Sequence, residues 1–329
     1  MKRRDFLKLG VLGGAAGLGL LSARTSLSSG TEGSPSASGF TTGTLEITEL
    51  SIPLPPHLHH FDQLTIAFIT DIHHGVAMNP AWLLNLKEVV NKQKVDLILL
   101  GGDYIWAPEA PLTKALTPNR NPLFQGLTGE ELNRAIYSDI FQMLSQFHAE
   151  YGTFGVRGNH DCWHSPTECK SLFANHVGEL LVNQRTDIEI PGFGTVELAG
   201  ADDYWVGMPQ PPEFSSRRDR LQIFLTHNPD HLIEECQGAI PPDALVLCGH
   251  THGGQIALPS IGPLTYNIRS PEYGYGLKAI DSFSLFTSRG IGVVELPFRY
   301  NCPQEVVFIR FSANPRGTGS KEAVVRKIV

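Results

Sequence analysis

The chain is short of paired cysteines, of positive charge and of long apolar runs, and each shortage removes a class of protein. Its five cysteines, Cys162, Cys169, Cys236, Cys248 and Cys302, form no Cys-x-x-Cys pair and no zinc-finger spacing. A disulfide-stapled mini-domain and a thiolate zinc module are therefore excluded. Cys162 and Cys169 could pair in an oxidising compartment; the alternative is five free, mostly buried thiols. Charged residues make up 18 % of the 329 and the formal net charge is −7, so no basic field gathers nucleic acid. No stretch offers the roughly 20 consecutive apolar residues of a membrane-spanning helix. What remains, with 41 % hydrophobic residues, is the balance of a globular chain of one large domain or two small ones.

The N-terminus reads as an address. Arg3 and Arg4, followed by Phe6, Leu7 and Lys8, resemble a twin-arginine export signal. The uncharged run 9–23 fits a signal-peptide core, and the glycines between Gly10 and Gly19 argue against an amphipathic helix. The expected organisation is a signal segment over 1–23, a Ser/Thr/Gly linker over 24–43, a folded body over 44–312 and a C-terminal tail over 313–329. The basic and apolar end of that tail could touch a membrane surface, a frayed terminus being the alternative. The protein is thus expected in the periplasm or at the outer face of the cytoplasmic membrane, with the twin-arginine translocase as its partner during export.

In the body, apolar runs predict strands at 45–54, 64–70, 96–100 and 152–157. Helices are predicted from Asn79-Pro80, from a capping box of Thr128 and Glu131, and from a second box of Ser165 and Glu168. A Pro-rich insertion spans 108–128. Strands then dominate, at 180–184, 195–200, 221–226, 244–248, 254–258, 283–287 and 305–311. Alternation giving way to many short strands argues for an α/β sandwich rather than a doubly wound parallel sheet.

Five polar motifs directly follow apolar runs: Asp71-Ile-His73, Gly102-Asp103, Gly158-Asn159-His160-Asp161, His227-Asn228 and Gly249-His250-Thr-His252. Each alone could be a turn or a solvated imidazole. Together they place acids, an amide and imidazoles beyond five strand ends, where α/β sheets bind ligands. This donor mixture suits Mn, Fe, Zn or Co better than Ca or a thiolate site. Asp103 can bridge two divalent cations, with Asp71, His73 and His252 completing one and Asn159, His227 and His250 the other. Such a pair clamps phosphoryl oxygens and lowers the pKa of a shared water.

This ordered set resembles the calcineurin-like metallophosphoesterase family over roughly residues 44–311. Ser288-Arg289-Gly290-Ile-Gly292 and the run from Gly249 to Gln255 resemble its bacterial membrane-associated, often twin-arginine-exported subgroup. The resemblance implies a four-layer α/β/β/α sandwich of two mixed sheets and the ligand assignments just given. It also implies that His160 protonates the leaving oxygen, with Asp161 orienting His160 or serving a helix-start turn. His74 stands where the family commonly has an apolar residue and is read as a bystander. Purple acid phosphatases place a Tyr three residues after the Gly-Asp aspartate; here that position is Trp106, which disfavours an iron-tyrosinate centre. The expected substrate is a phosphoester, with phosphodiesters favoured by the subgroup and lipid linkage open. The competing readings are pyrophosphate cleavage in a UDP-diacylglucosamine-type lipid precursor, a one-metal hydrolase and an inactive metal-binding scaffold. Trp106, Phe124, Trp163 and Trp205 are candidates for an apolar wall or for core packing.

Overall fold

Alternating side-chain direction along the strands sorts the apolar residues into three packed layers. The computed structural model describes residues 44–75, 80–107, 121–314 and 323–328. The expected signal segment and linker, the cap at Asn79, residues 108–120 of the insertion and most of the tail lie outside the described residues. Strands run in the order β1 (Leu45–Pro53), β2 (Thr65–Ile69), β3 (His74–Gly75), β4 (Leu97–Leu100), β5 (Ile105–Trp106), β6 (Thr153–Gly155), β7 (Glu179–Leu180), β8 (Gln184–Ile190) and β9 (Gly194–Gly200). They continue with β10 (Leu221–Leu225), β11 (Leu245–Cys248), β12 (Ala257–Leu258), β13 (Gly262–Pro263), β14 (Gly276–Ile280), β15 (Phe283–Thr287), β16 (Gln304–Ser312) and β17 (Ala323–Ile328).

One sheet has the order β17-β1-β16-β2-β4-β6-β7 and the other β14-β15-β11-β10-β9-β8. Both are mixed. β2, β4 and β6 pair in parallel while β16 meets β2 antiparallel; β9, β10, β11 and β15 pair in parallel while β8 and β14 close the edges antiparallel.

Between the sheets pack Ile66 and Phe68, Leu97 and Leu99, Ile223 and Leu225, and Leu245 and Leu247. The opposite faces of the same strands look outward. Ala67, Ile69, Ile98 and Leu100 meet Leu83, Leu86 and Val90 of the helix Pro80–Gln93, Ile136 and Ile140 of the helix Gly129–Leu144, and Phe173 of the helix Pro166–His176. Phe224, Val246 and Cys248 meet Leu232, Cys236 and Ile240 from the short helical turns after β10. Helices, sheet, sheet and helical turns make the four-layer sandwich. The central layer is apolar and fully buried, so truncating a residue such as Phe68 should cost about 3–5 kcal/mol.

Several local expectations give way. β8 replaces the expected strand at 180–184; its sequence looks polar because it is an edge strand that buries only Ile188 and Ile190. At 254–258 the chain forms a tight turn over His252–Gly254 and only the two-residue β12. Thr128 and Ser165 do sit before their helices, but neither side chain makes a cap hydrogen bond, and Glu168 instead accepts from Arg134 Nε at 2.6 Å. Within the stretch read as a tail, β17 pairs antiparallel with β1. All five cysteines are free, Cys162 and Cys169 included. Among the described residues no helix is long and apolar enough to cross a membrane.

Candidate metal centre

The carboxyl ends of β2, β4, β6, β10 and β11 bring the five motifs together. Asp71, His73 and His252 form one cluster of donor atoms, and Asp103, His227 and His250 another, with His73, Asp103 and His160 overlapping both. Within each cluster the donor atoms lie within 4.8 Å of one another.

Asp103 stands between the halves. Its Oδ1 accepts from the His160 amide at 2.9 Å. Its Oδ2 is thereby left facing two imidazoles, 3.4 Å from His73 Nε2 and 3.2 Å from His227 Nε2. Asp71 Oδ1 lies 3.4 Å from His252 Nε2 and 3.9 Å from His73 Nε2. Across the centre, Asn159 Oδ1 is 2.9 Å from His250 Nδ1.

Local chain geometry makes this convergence possible. Asp71, His73, Asp103, His250 and His252 all adopt left-handed backbone, at φ 52°, 47°, 55°, 71° and 53°. Non-glycine residues rarely do so, and the strain persists because neighbours fix it. Asp71 N donates to Gly102 O, His73 N to Asp103 O and Gly292 N to Asp71 O. Gly158 and Gly249 are required for space: a Cβ on either would collide with the carboxylate of Asp103 or Asp71 respectively. Asn159 opens a short helix, where its side chain projects from the first turn.

The chemistry of these donors fits cations. His227 Nδ1 donates to Gly101 O at 2.7 Å, which fixes the ring with its buried Nε2 turned toward Asp103. His73 Nε2 and His252 Nε2 lie 3.0 Å apart, close enough together to serve one ion. Charge points the same way. Asp71, Asp103, Asp161 and Asp203 are all buried here. Burial raises Asp71 to about 6, Asp161 to about 7 and Asp203 to about 6. Burial opposes the proton on His227, but the Asp103 and Asp71 carboxylates overcome it and hold that imidazole up to about 10. Burial pushes His250 down to about 3 and His160 to about 4. A buried surplus of carboxylate beside neutral imidazoles is the environment that divalent cations neutralise.

His160 reaches the cluster with its ring 4.8 Å from that of His73, and its Nδ1 is buried without a partner. Asp161 is placed differently from the orienting role. Its carboxylate accepts from the amides of Gly158, Asp103 and Tyr104 and from Tyr137 Oη, so it holds the Asp103 loop against the start of the helix. His74 is buried and bonded to Asp139 Oδ2 at 2.6 Å, outside the cluster. Trp106 and Phe124 are core, while Trp163 and Trp205 contact His160 and His250.

A supporting layer escaped the sequence reading. Thr70 Oγ1 donates to Asp71 Oδ2 at 2.8 Å. Arg299 is fully buried and gives its guanidinium to the carbonyls of Gly292, Arg289 and His252. Asp203 accepts from the amides of Trp205 and Val206. Only the doubled acid Asp202-Asp203 at the end of an apolar strand offered a visible signal; a buried arginine offers none.

Comparison with known proteins agrees with this geometry. The sequence profile of calcineurin-like phosphoesterases matches residues 64–254. The chain is 32 % identical to the phosphodiesterase YaeI of Escherichia coli, over 74 % of this chain and 80 % of that one. It is 29 % identical to the uncharacterized metallophosphoesterase YkuE of Bacillus subtilis, over 82 % and 87 % of the two chains. A more distant relative, at 23 % identity over 82 % of this chain and 90 % of its own, is the UDP-2,3-diacylglucosamine pyrophosphatase LpxG of Chlamydia trachomatis.

Proposed function

The chain belongs to the calcineurin-like phosphoesterase family, and from that premise we propose that it is an exported phosphodiesterase whose seven converging donors hold two divalent cations. The observation that carries this reading is Asp103 Oδ2, set 3.4 Å from His73 Nε2 and 3.2 Å from His227 Nε2, so that one carboxylate faces a donor of each cluster. Asp71, His73 and His252 would hold the first and Asn159, His227 and His250 the second, the identity being Mn, Fe or Zn. When bound, the cations supply positive charge for the phosphoryl oxygens and acidify a water.

The chain's own residues do the rest. His160 hydrogen-bonds the leaving oxygen. As the water oxygen bonds to phosphorus, the old P–O bond breaks with its electron pair on the leaving group, and His160 gives that oxygen its proton. The water's proton passes to solvent. Burial favours the neutral His160 ring, so the imidazolium that gives up this proton forms only once the anionic phosphoester is bound beside it. Asp161 keeps Asp103 and the His160 helix in register through the amides it accepts from.

The test combines metal analysis with turnover. The purified protein should carry about two ions per chain and hydrolyse bis(4-nitrophenyl) phosphate with added Mn. Asn159→Ala should hold about one ion and lose on the order of 10²–10³-fold in kcat/KM. An Asn159→Ala variant as active as the parent would remove the assignment.

A second reading is pyrophosphate cleavage in a lipid-linked nucleotide, favoured by the name of the Chlamydia relative. Export argues against it, since nucleotide-linked precursors lie on the cytoplasmic side. The export reading rests on Arg3-Arg4 and the uncharged run 9–23. Cell fractionation with and without Arg3→Lys and Arg4→Lys checks it; unchanged periplasmic recovery would sink it. The inactive-scaffold reading requires missing donors, and all seven are present.

A further inference from the structure

Aromatic rings bracket the candidate metal centre. On one side the order runs Trp163, His160, His73, His252, with neighbouring centroids 5.0, 4.8 and 4.8 Å apart. On the other it runs His227, His250, Trp205, at 5.2 and 4.3 Å. Each tryptophan thus ends a row of imidazoles, but the two are held differently. Trp205 is partly buried, in a turn pinned by Asp203. Trp163 lies 42 % exposed on the short helix Asn159–His164, its ring nearly perpendicular to that of His160 at 83°.

His160 and Trp163 are three positions apart on one helix and so share a face. A ligand atom within hydrogen-bond reach of His160 therefore lies beside an indole whose centroid is 5.0 Å from that ring. Water contact at an open indole is costly, and a flat group laid on it recovers both apolar area and ring–ring attraction. The other large aromatics near the motifs, Trp106 and Phe124, are buried in the core and offer no such face.

We propose that Trp163 is the wall on which the leaving group rests, and that the enzyme therefore prefers phosphoesters whose leaving group has a flat, apolar, π-bearing face. This deepens the phosphodiesterase reading and rests on it, because it takes the proton at His160 to be the one delivered to the leaving oxygen.

The experiment compares inhibition by phenylphosphonate and methylphosphonate, which present the same dianionic head and differ only in the substituent. Inhibition of bis(4-nitrophenyl) phosphate hydrolysis is measured for the metal-loaded parent, Trp163→Ala, Trp163→Phe and Ile261→Ala. Ile261 is an exposed apolar residue of the β12–β13 hairpin and serves as the control. The parent should bind the phenyl compound roughly tenfold more tightly, as one stacked ring warrants. Trp163→Ala should bring the ratio near one, while Trp163→Phe and Ile261→Ala keep most of it. An unchanged ratio in Trp163→Ala, an equal weakening of both inhibitors, or a parent without preference overturns the proposal. Failure of the underlying reading looks different: a loaded parent that hydrolyses nothing removes both.

Discussion

Asp71, His73 and His252 all sit on left-handed backbone, whereas of Asn159, His227 and His250 only His250 does. The first trio is aimed by main-chain strain that neighbouring amides and carbonyls enforce: Gly292 N on Asp71 O, Asp103 O on His73 N, and Arg299 on the His252 carbonyl. The second trio is aimed largely by side-chain bonds and regular structure. His227 leans on Gly101 O, and Asn159 rides the first turn of a helix. Two half-sites of similar chemistry are thus built by different physics. The first should be intolerant of changes in neighbouring backbone, and the second of changes in side-chain partners.

Four changes test that contrast. The largest effect is expected where the halves meet. Asp103→Ala should lower kcat/KM by on the order of 10³-fold or more and leave less than one ion per chain, since both halves lose a donor; two retained ions would show that the halves do not share it. Next comes His160→Ala, which removes none of the donors assigned to either half, although its ring packs against that of His73. Its kcat should fall by roughly 10²–10⁴-fold while elemental analysis still finds the parent's metal content. A third change acts on the backbone of the first half alone. Gly290 has φ 66°, and a Cβ there would lie 2.6 Å from Asp71 Cβ. Gly290→Ala should therefore destabilise by about 1–3 kcal/mol, read as a lower melting temperature, and weaken the first ion more than the second in a chelator titration.

The smallest effect is one of pH, seen only in metal-free protein. His227 titrates near 10 when folded, against about 6.5 for a free imidazole. Its contribution to stability is full below about pH 6.5 and is lost as the pH climbs towards 10. Asp71, Asp161 and Asp203, raised to about 6, 7 and 6, act in the same sense at lower pH, as the folded state gives up its bound protons. Chelator-treated protein should melt progressively lower from pH 7.5 to 9.5, above the range where the depressed His250 and His160 act in the opposite sense, and His227→Gln should flatten that slope. A parent whose metal-free melting rises over this interval would contradict the charge balance described for the centre.

The four-layer body was legible in the sequence because its central strands are uninterrupted apolar runs, such as 64–70 and 96–100. So was the meeting of the motifs, since each follows such a run and the ends of neighbouring strands lie together. Edges were not legible. β8 alternates Ile188 and Ile190 with charged residues, and β14 begins at Gly276 and carries Lys278, so both read as loop. Asp161 takes the helix-start place offered as the alternative to orienting His160, because an acid at the third position of a helix is drawn to the free amides of that turn. Arg299 was invisible, because a fully buried guanidinium satisfied by carbonyls leaves no pattern at the level of residue type.

β16 lies between β1 and β2, pairing in parallel with the first over residues 304–312 and antiparallel with the second over residues 307–310. A growing chain that has released only its first three hundred residues therefore exposes two apolar strands with a vacancy between them. Completion of this sheet waits on residues 304–312. A fragment shortened before position 304 should lose the cooperative transition of the whole molecule and expose adhesive strand edges, rather than survive as a slightly smaller enzyme.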